Sequence, residues 1–430
     1  MYLNNNLNQS FFIRNCLIFF LFLFFLEGII RKWIFSFISY EIIILRDLCL
    51  IVAILFGFQK KIYKSNEQPE QILFLISAIV VTWSLLQTIF IHEKLTIFLI
   101  GIRNWVLFYW FVLLFFRIIK KYDEIKIILN LIYITLLPII LLAIIQYYSP
   151  LESTLNKQTI DGVIGFQIIT GVIRPSSIFT FTYNYTQYLS LATTLLLASL
   201  STNHYNLNIN SLLKFSLIIL LIFAALTSGS RGYLIYFILI FSIFIFINLT
   251  NKKLIVKKNN IIPILLVVGL ILFLDLDLKD VFYERFSTAA KSENFFSRIM
   301  YTIFGNKIVW DELSIFGNGL GISSNLARPF VNATNFYLGE FDSDRVLNEG
   351  GVLGILFLII KLIFIIKLFF KTIEIKQYSY DNYVMSLFIY FFLVHQLLIS
   401  SITGQIGAHS VLIIGLSIYF VFLKKKNIYD

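Results

Sequence analysis

Runs of about 18 to 22 apolar residues, each long enough to cross the hydrocarbon layer of a bilayer, recur along the whole chain. They fall at about 11–30, 38–58, 71–91, 95–116, 125–147, 184–201, 212–228, 232–249, 261–275, 350–370, 382–402 and 405–423. This pattern predicts an all-α polytopic membrane protein with about twelve transmembrane helices. One long polar segment, 276–348, interrupts it. That segment carries Arg285, Arg298, Arg328 and Arg345 and ends in the acidic cluster Glu340, Asp342 and Asp344. Three parts are therefore expected: an N-terminal bundle over 1–275 with about nine spans, the polar loop over 276–348, and about three C-terminal spans over 349–430. The first span follows the polar, nearly uncharged start Asn4–Gln9. No small-residue cleavage site follows it, so it reads as an anchor and not as a removed signal.

Composition agrees with lipid as the solvent: 58% of residues are hydrophobic and only 14% charged, well below the charge content of a soluble domain. The net charge of +11 sits largely in short connections. Lys60, Lys61 and Lys64 follow span two; Arg117, Lys120, Lys121 and Lys126 surround the next such turn. Lys252, Lys253, Lys257 and Lys258 follow span eight, Lys367, Lys371 and Lys376 surround the end of span ten, and Lys424–Lys426 close the sequence. All fall after even-numbered spans, so the positive-inside rule predicts cytoplasmic termini and an outward-facing 276–348 loop, with 148–183 also outside. Arg31–Lys32 is the clearest exception. Basic residues at span ends orient the protein and meet anionic headgroups. Nucleic acid is not an expected partner, because no soluble basic domain is present to bind it.

Other chemistries find little footing. Cys16 and Cys49 both fall inside predicted spans. His92, His204, His395 and His409 are scattered without metal-ligand spacing, and no metal site is expected. Gly317-Asn-Gly-Leu-Gly321 looks like part of a phosphate loop but lacks a strand–helix unit behind it, so a turn is the expectation, with no cofactor. Charges inside spans carry more weight, since each costs a few kcal/mol at mid-bilayer unless paired. Glu27 and Arg31 have the i,i+4 spacing of a local ion pair. Arg46 and Asp47 are adjacent, point to different helix faces, and are expected to pair with other spans. Arg103 lies in span four.

Three outward patches concentrate polar chemistry. They are Arg174 followed by small and hydroxyl residues up to Asn184, the turn Thr227-Ser-Gly-Ser-Arg231-Gly232, and the long loop with Arg298, Phe316–Gly321 and Phe341–Gly354. Guanidinium forks suit bidentate binding of phosphate, and several of them converging would fit a pyrophosphate headgroup, with nearby carboxylates as candidate bases.

On these residues the sequence resembles the O-antigen polymerase (Wzy) and O-antigen ligase (WaaL) superfamily of polytopic membrane proteins. Glu27-Gly-Ile-Ile-Arg-Lys-Trp33 with Arg46-Asp47 is similar to the opening of one subgroup, and Gln146-Tyr-Tyr-Ser-Pro150 to Asn184 to its first outward loop. Ser230-Arg231-Gly232, Phe316–Gly321 and Glu349-x-Gly351-x-x-Gly354 are similar to later family elements. The resemblance implies a fold like the GT-C-like glycosyltransferases and a place in the bacterial cytoplasmic (inner) membrane. It also implies a metal-independent transfer between polyprenyl-pyrophosphate-linked oligosaccharides, with a flippase and a chain-length regulator as further partners. Arg174, Arg231, Arg298 and Arg345 would bind the pyrophosphate, and Asp342, ahead of Glu340 and Asp344, would take the acceptor proton. Ligases of the family place a His-Asn pair where this chain reads Gly339-Glu-Phe-Asp342-Ser-Asp344, which favours a polymerase. A ligase and a non-enzymatic flippase are the alternatives; the flippase would show internal repeats, and none is evident. Locally, Asp342 could instead pair with Arg345 three residues on and merely shape the loop.

Overall fold

The computed structural model describes residues 2–35, 39–63, 67–118, 122–158, 165–202, 205, 211–250, 281, 283–285, 287–288, 294–331, 337, 339, 341–399 and 406–423. Among them the chain is mostly helical. Six helical segments are long and apolar enough to cross a membrane: Gln68–His92, Leu95–Ile118, Ile125–Tyr148, Arg231–Thr250, Val352–Ile375 and Tyr380–Ile399. Further apolar segments also form helices: α1 (Tyr2–Ile29), α2 (Ser39–Gln59), α7 (Thr182–Leu200), α8 (Ser211–Thr227) and α15 (Ile406–Phe422). The expected span at 261–275 and the basic groups at 252–258 and 424–426 lie outside the described residues, as does Glu340.

Helix α7 is not among these six. It is rich in Tyr, Thr and Ser, and nearly every residue from Thr182 to Leu200 is buried. Small and hydroxyl residues let helix backbones approach closely, and their O–H groups bond back to the helix or across to a neighbour. Ser190 Oγ donates to Thr186 O at 2.9 Å, and Tyr188 Oη, from α7, donates to Ile132 O of α6 (Tyr122–Tyr148) at 2.9 Å. Helix α7 thus forms the axis of the bundle, packed against α6, α9 (Arg231–Thr250), α14 (Tyr380–Ile399) and α15. A helix shielded from lipid needs no lipid-like surface.

The charges in the first spans form one network. Arg31 Nη1 donates to Glu27 Oε1 at 2.8 Å, Arg46 Nη1 to Glu27 Oε2 at 2.8 Å, and Arg103 Nε to Asp47 Oδ2 at 2.5 Å. Arg46 also reaches Asp47 at 3.5 Å. Glu27 and Asp47 therefore knit α1, α2 and the segment 95–118, and Arg46, with no exposed surface, is tolerated because a carboxylate meets its fork. The i,i+4 spacing had pointed to the Glu27–Arg31 pair, and both members of Arg46–Asp47 find other helices.

Segment 95–118 is not one regular helix. It runs as α4 (Leu95–Ile102), a π-helical turn Arg103–Leu107, and α5 (Phe108–Ile118). Similar π turns end α1 at Ile30–Ile34 and α3 (Gln68–Gln87) at Thr88–His92. Beyond the helices, the described residues contain one two-stranded antiparallel hairpin, β1 (Gln167–Ile169) and β2 (Val172–Ile173), an addition to the all-α expectation. The long polar segment is itself partly helical, with α10 (Phe295–Phe304), α11 (Lys307–Asp311) and α12 (Asp342–Gly350) ahead of α13 (Val352–Ile375).

Candidate functional site

Ile168 of β1 is the point at which three separate segments meet. A β-carbon on Gly229, in the turn between α8 and α9, would sit 2.5 Å from the Ile168 side chain, so that turn rests directly on it. Val281 packs with Ile168 and Tyr147, and Arg285 Nη1 donates to Ile168 O at 3.5 Å. The hairpin reverses at Gly171, whose φ of +87° is the left-handed region open to glycine. It then delivers Arg174, whose backbone N donates to Phe166 O at 2.7 Å. Next, the chain passes under α1. Gly28 there lies so close to Ile178 O that a β-carbon would stand 1.8 Å away. Lys32, buried at the end of α1, donates to Ser176 Oγ at 2.6 Å and Ser177 O at 3.0 Å, pinning the loop two residues beyond Arg174.

The result is a cluster of guanidinium groups at one end of the bundle. Arg174 has its pKa pushed down to about 10, first by burial and then by the positive charges of Arg285 and Arg231. It remains protonated at neutral pH, so the cluster stays cationic. Tyr183, in the first turn of α7, lies within electrostatic reach of both Arg174 and Arg345 and links the cluster to α12. Burial pushes the Arg345 pKa down as well, against the pull of Asp342, Glu349 and Asp344. Among the described residues, Arg174 Nε and Arg345 Nη1 are buried donors without a hydrogen-bond partner. Buried donors are normally satisfied, so two in one neighbourhood point to an acceptor that arrives from elsewhere.

Comparison with protein-family models, with curated proteins and with solved structures returns no match for this chain.

The loop residues divide by the two faces of α12. Asp342, Arg345 and Glu349 lie on the face turned to the bundle. Asp342 is fully buried with Oδ2 3.6 Å from Lys361 Nζ of α13 and also acts electrostatically on Arg345, which donates from Nε to Gly339 O at 3.0 Å. Asp344 turns the other way: its Oδ1 accepts from Asn306 N at 2.6 Å and its Oδ2 from Phe341 N at 3.4 Å. Both oxygens serve as caps at helix starts, a structural use that leaves Asp344 poorly placed as a base. Arg298 of α10 lies over the Phe341 ring at 5.5 Å from its centroid, held there because Ser343 Oγ bonds Tyr301 O and Thr302 O. The structure thus brings Arg174 and Arg231 together with Arg285 and connects Arg345 through Tyr183, whereas Arg298 stands beside the entry to α12.

Glu349 emerges as a residue whose part the sequence pattern only marked. It is fully buried, accepts from Trp105 Nε1 at 2.9 Å and from Ser323 N at 3.1 Å, and burial pushes its pKa up to about 7. With Gln87, whose Oε1 accepts from Leu320 N and whose Nε2 donates to Phe316 O and Glu349 O, it clamps the glycine-rich turn. Gly321 has φ +88°, and a β-carbon there would lie 2.7 Å from Gly101 N. The turn's N–H groups are spent on Asn348 O, Glu349 and Gln87, so it is a packing element and not a phosphate cradle.

Proposed function

We propose that this chain is a metal-independent glycosyltransferase of the bacterial cytoplasmic membrane that polymerises polyprenyl-pyrophosphate-linked oligosaccharide repeats. In this reading it has about twelve crossings with both termini cytoplasmic and the arginine cluster outside. The observation that carries it is the convergence of Arg174, Arg231 and Arg285, tied by Tyr183 to Arg345, with buried donors that lack a hydrogen-bond partner on Arg174 and Arg345. Such a group of fixed cations in a water-poor site is chemistry for a diphosphate leaving group. The acceptor sugar hydroxyl attacks the anomeric carbon of the donor glycan, the bond to the pyrophosphate oxygen breaks, and that oxygen leaves with the electron pair under the arginines. The hydroxyl proton goes to a carboxylate, and Asp342, on the same face of α12 as Arg345, is the candidate. Because Asp342 has no exposed surface, α12 must shift for an acceptor to reach it.

The experiment is elongation of purified lipid-linked repeats by the detergent-solubilised protein. Longer lipid-linked products support the reading, and no product with repeats from its own host overturns it. A ligase differs only in acceptor and would move the glycan onto lipid A-core in the same assay. A flippase is favoured by a different observation: inside the bundle, Gln396 bonds Gln187, His395 lies against Tyr236 at 4.3 Å between ring centroids, and Tyr236 bonds Thr194. Buried polar residues at membrane depth often line a transport path. Translocation of labelled lipid-linked repeats in vesicles without elongation would select it.

A further inference from the structure

We propose that the cleft between the α3–α4 connection and α11, on the far face of α12 from the arginine cluster, is a saccharide-binding subsite. The cleft encloses about 590 Å³, within the range of small-ligand sites. Aliphatic side chains make up half of its lining, and among them His92, Ser314, Asn318 and Asn348 set neutral hydrogen-bonding groups beside the rings of Phe330 and Tyr337, a mixture that suits sugar hydroxyls on one side and the apolar face of a pyranose on the other. Asn318 and Asn348 form a fixed amide pair, with Asn318 Nδ2 2.7 Å from Asn348 Oδ1 and Asn348 Nδ2 2.9 Å from Ser323 Oγ. Planar amides locked in this way present their remaining valences in set directions.

His92 supplies the most specific observation. Its Nδ1 accepts from Lys94 N at 3.2 Å, which leaves the ring proton on Nε2. Among the described residues, Nε2 is buried and has no hydrogen-bond partner, and His92 is one of the residues that line this cleft. A buried N–H donor costs roughly the strength of a hydrogen bond unless an acceptor arrives. The Lys94 ammonium does not claim the cleft for an anion, because it is spent on Phe330 O at 2.7 Å. Glu312 on the opposite wall would repel one. Phe330 and Tyr337 are more than a third exposed at the rim and offer rings for stacking.

The cleft and the cationic cluster are read by opposite faces of one nine-residue helix, about one helix diameter apart, or ~10–12 Å. A glycan whose pyrophosphate lies at Arg345 would place sugars remote from the reacting bond in the cleft. The identity of that glycan rests on the function proposed above; the presence of a sugar site does not.

The test is calorimetric titration of the full chain in detergent. The probe is the oligosaccharide released by mild acid from the host's own polyprenyl-linked repeats. Wild type and Lys371→Ala, at an exposed position of α13 outside the cleft lining, should bind it equally. Phe330→Ala and Tyr337→Ala, at exposed positions where truncation leaves the core packed, should weaken binding about tenfold, and His92→Phe, which keeps a ring but removes the N–H, should do likewise. Absence of binding by wild type, or unchanged binding by all three cleft variants, overturns the proposal. If the probe binds in this pattern while no lipid-linked chain is ever extended, the sugar site stands and the glycosyltransferase reading falls.

Discussion

At the scale of single residues, the arginines differ in what a lysine could replace. Arg174 and Arg231 belong to the cluster around Ile168, and their forks can meet a diphosphate with two donors at once. Arg174→Lys and Arg231→Lys should each lower the elongation rate by about 10- to 100-fold, the worth of a lost charge-assisted hydrogen bond, with normal membrane insertion. Arg298→Lys, beside the Phe341 ring, should cost less; equal losses at all three would place Arg298 on the substrate after all. Asp342→Asn separates a base from a loop-shaping residue. A base should lose about a hundredfold or more in rate, and elongation within a few-fold of wild type would remove Asp342 from the mechanism. Glu349 makes a prediction about pH. Its carboxyl is raised from 4.5 to about 7, so folding binds a proton between these values. The associated stability is complete below about 4.5 and is lost as pH rises through about 7, on the order of 3 kcal/mol in all. Thermal denaturation in detergent should therefore occur at lower temperature at pH 8 than at pH 5.5, and Glu349→Gln should flatten that slope.

At the scale of elements, close backbone approach decides what can change. Gly321→Ala adds a β-carbon at positive φ against Gly101 N and should destabilise by about 2 kcal/mol, measured as a drop in the detergent melting temperature. The helices themselves were largely legible, because apolar runs of span length leave few alternatives. Glu27–Arg31 was legible too, since i,i+4 neighbours on a helix meet wherever that helix goes. What joins distant segments was not. The hairpin that carries Ile168 is too short to show alternation, and Arg285 enters the cluster only because Val281 packs on that hairpin. Trp105 and Glu349 are 244 residues apart, and nothing local in either neighbourhood announces their hydrogen bond. Spacing offered Arg345 as a neighbour for Asp342, and its charge does act there, but nothing local announced Lys361, one helix further on, as a second cation beside it.

At the scale of the whole molecule, the polar groups of α1, α3, α7, α9 and α12 gather at a single end, and the sidedness of that end is open to measurement. Reporter fusions or cysteine labelling should find 59–70 and 250–260 in the cytoplasm and 276–348 outside; a cytoplasmic long loop would overturn the topology and the proposed mechanism together. The interrupted segment 95–118 has a consequence at this scale as well. Upstream of its π turn, Gly101 meets Gly321; at the turn, Arg103 grips Asp47 and Trp105 grips Glu349; downstream, Phe111 and Leu114 enter the core. A π turn holds one more residue than the α turn it replaces. The segment therefore works as two rulers butted together one graduation out of step, one measuring the distance to the polar end and the other the spacing of the interior. Deleting a single residue between Arg103 and Leu107 would leave a straighter helix that keeps time with either ruler and never with both.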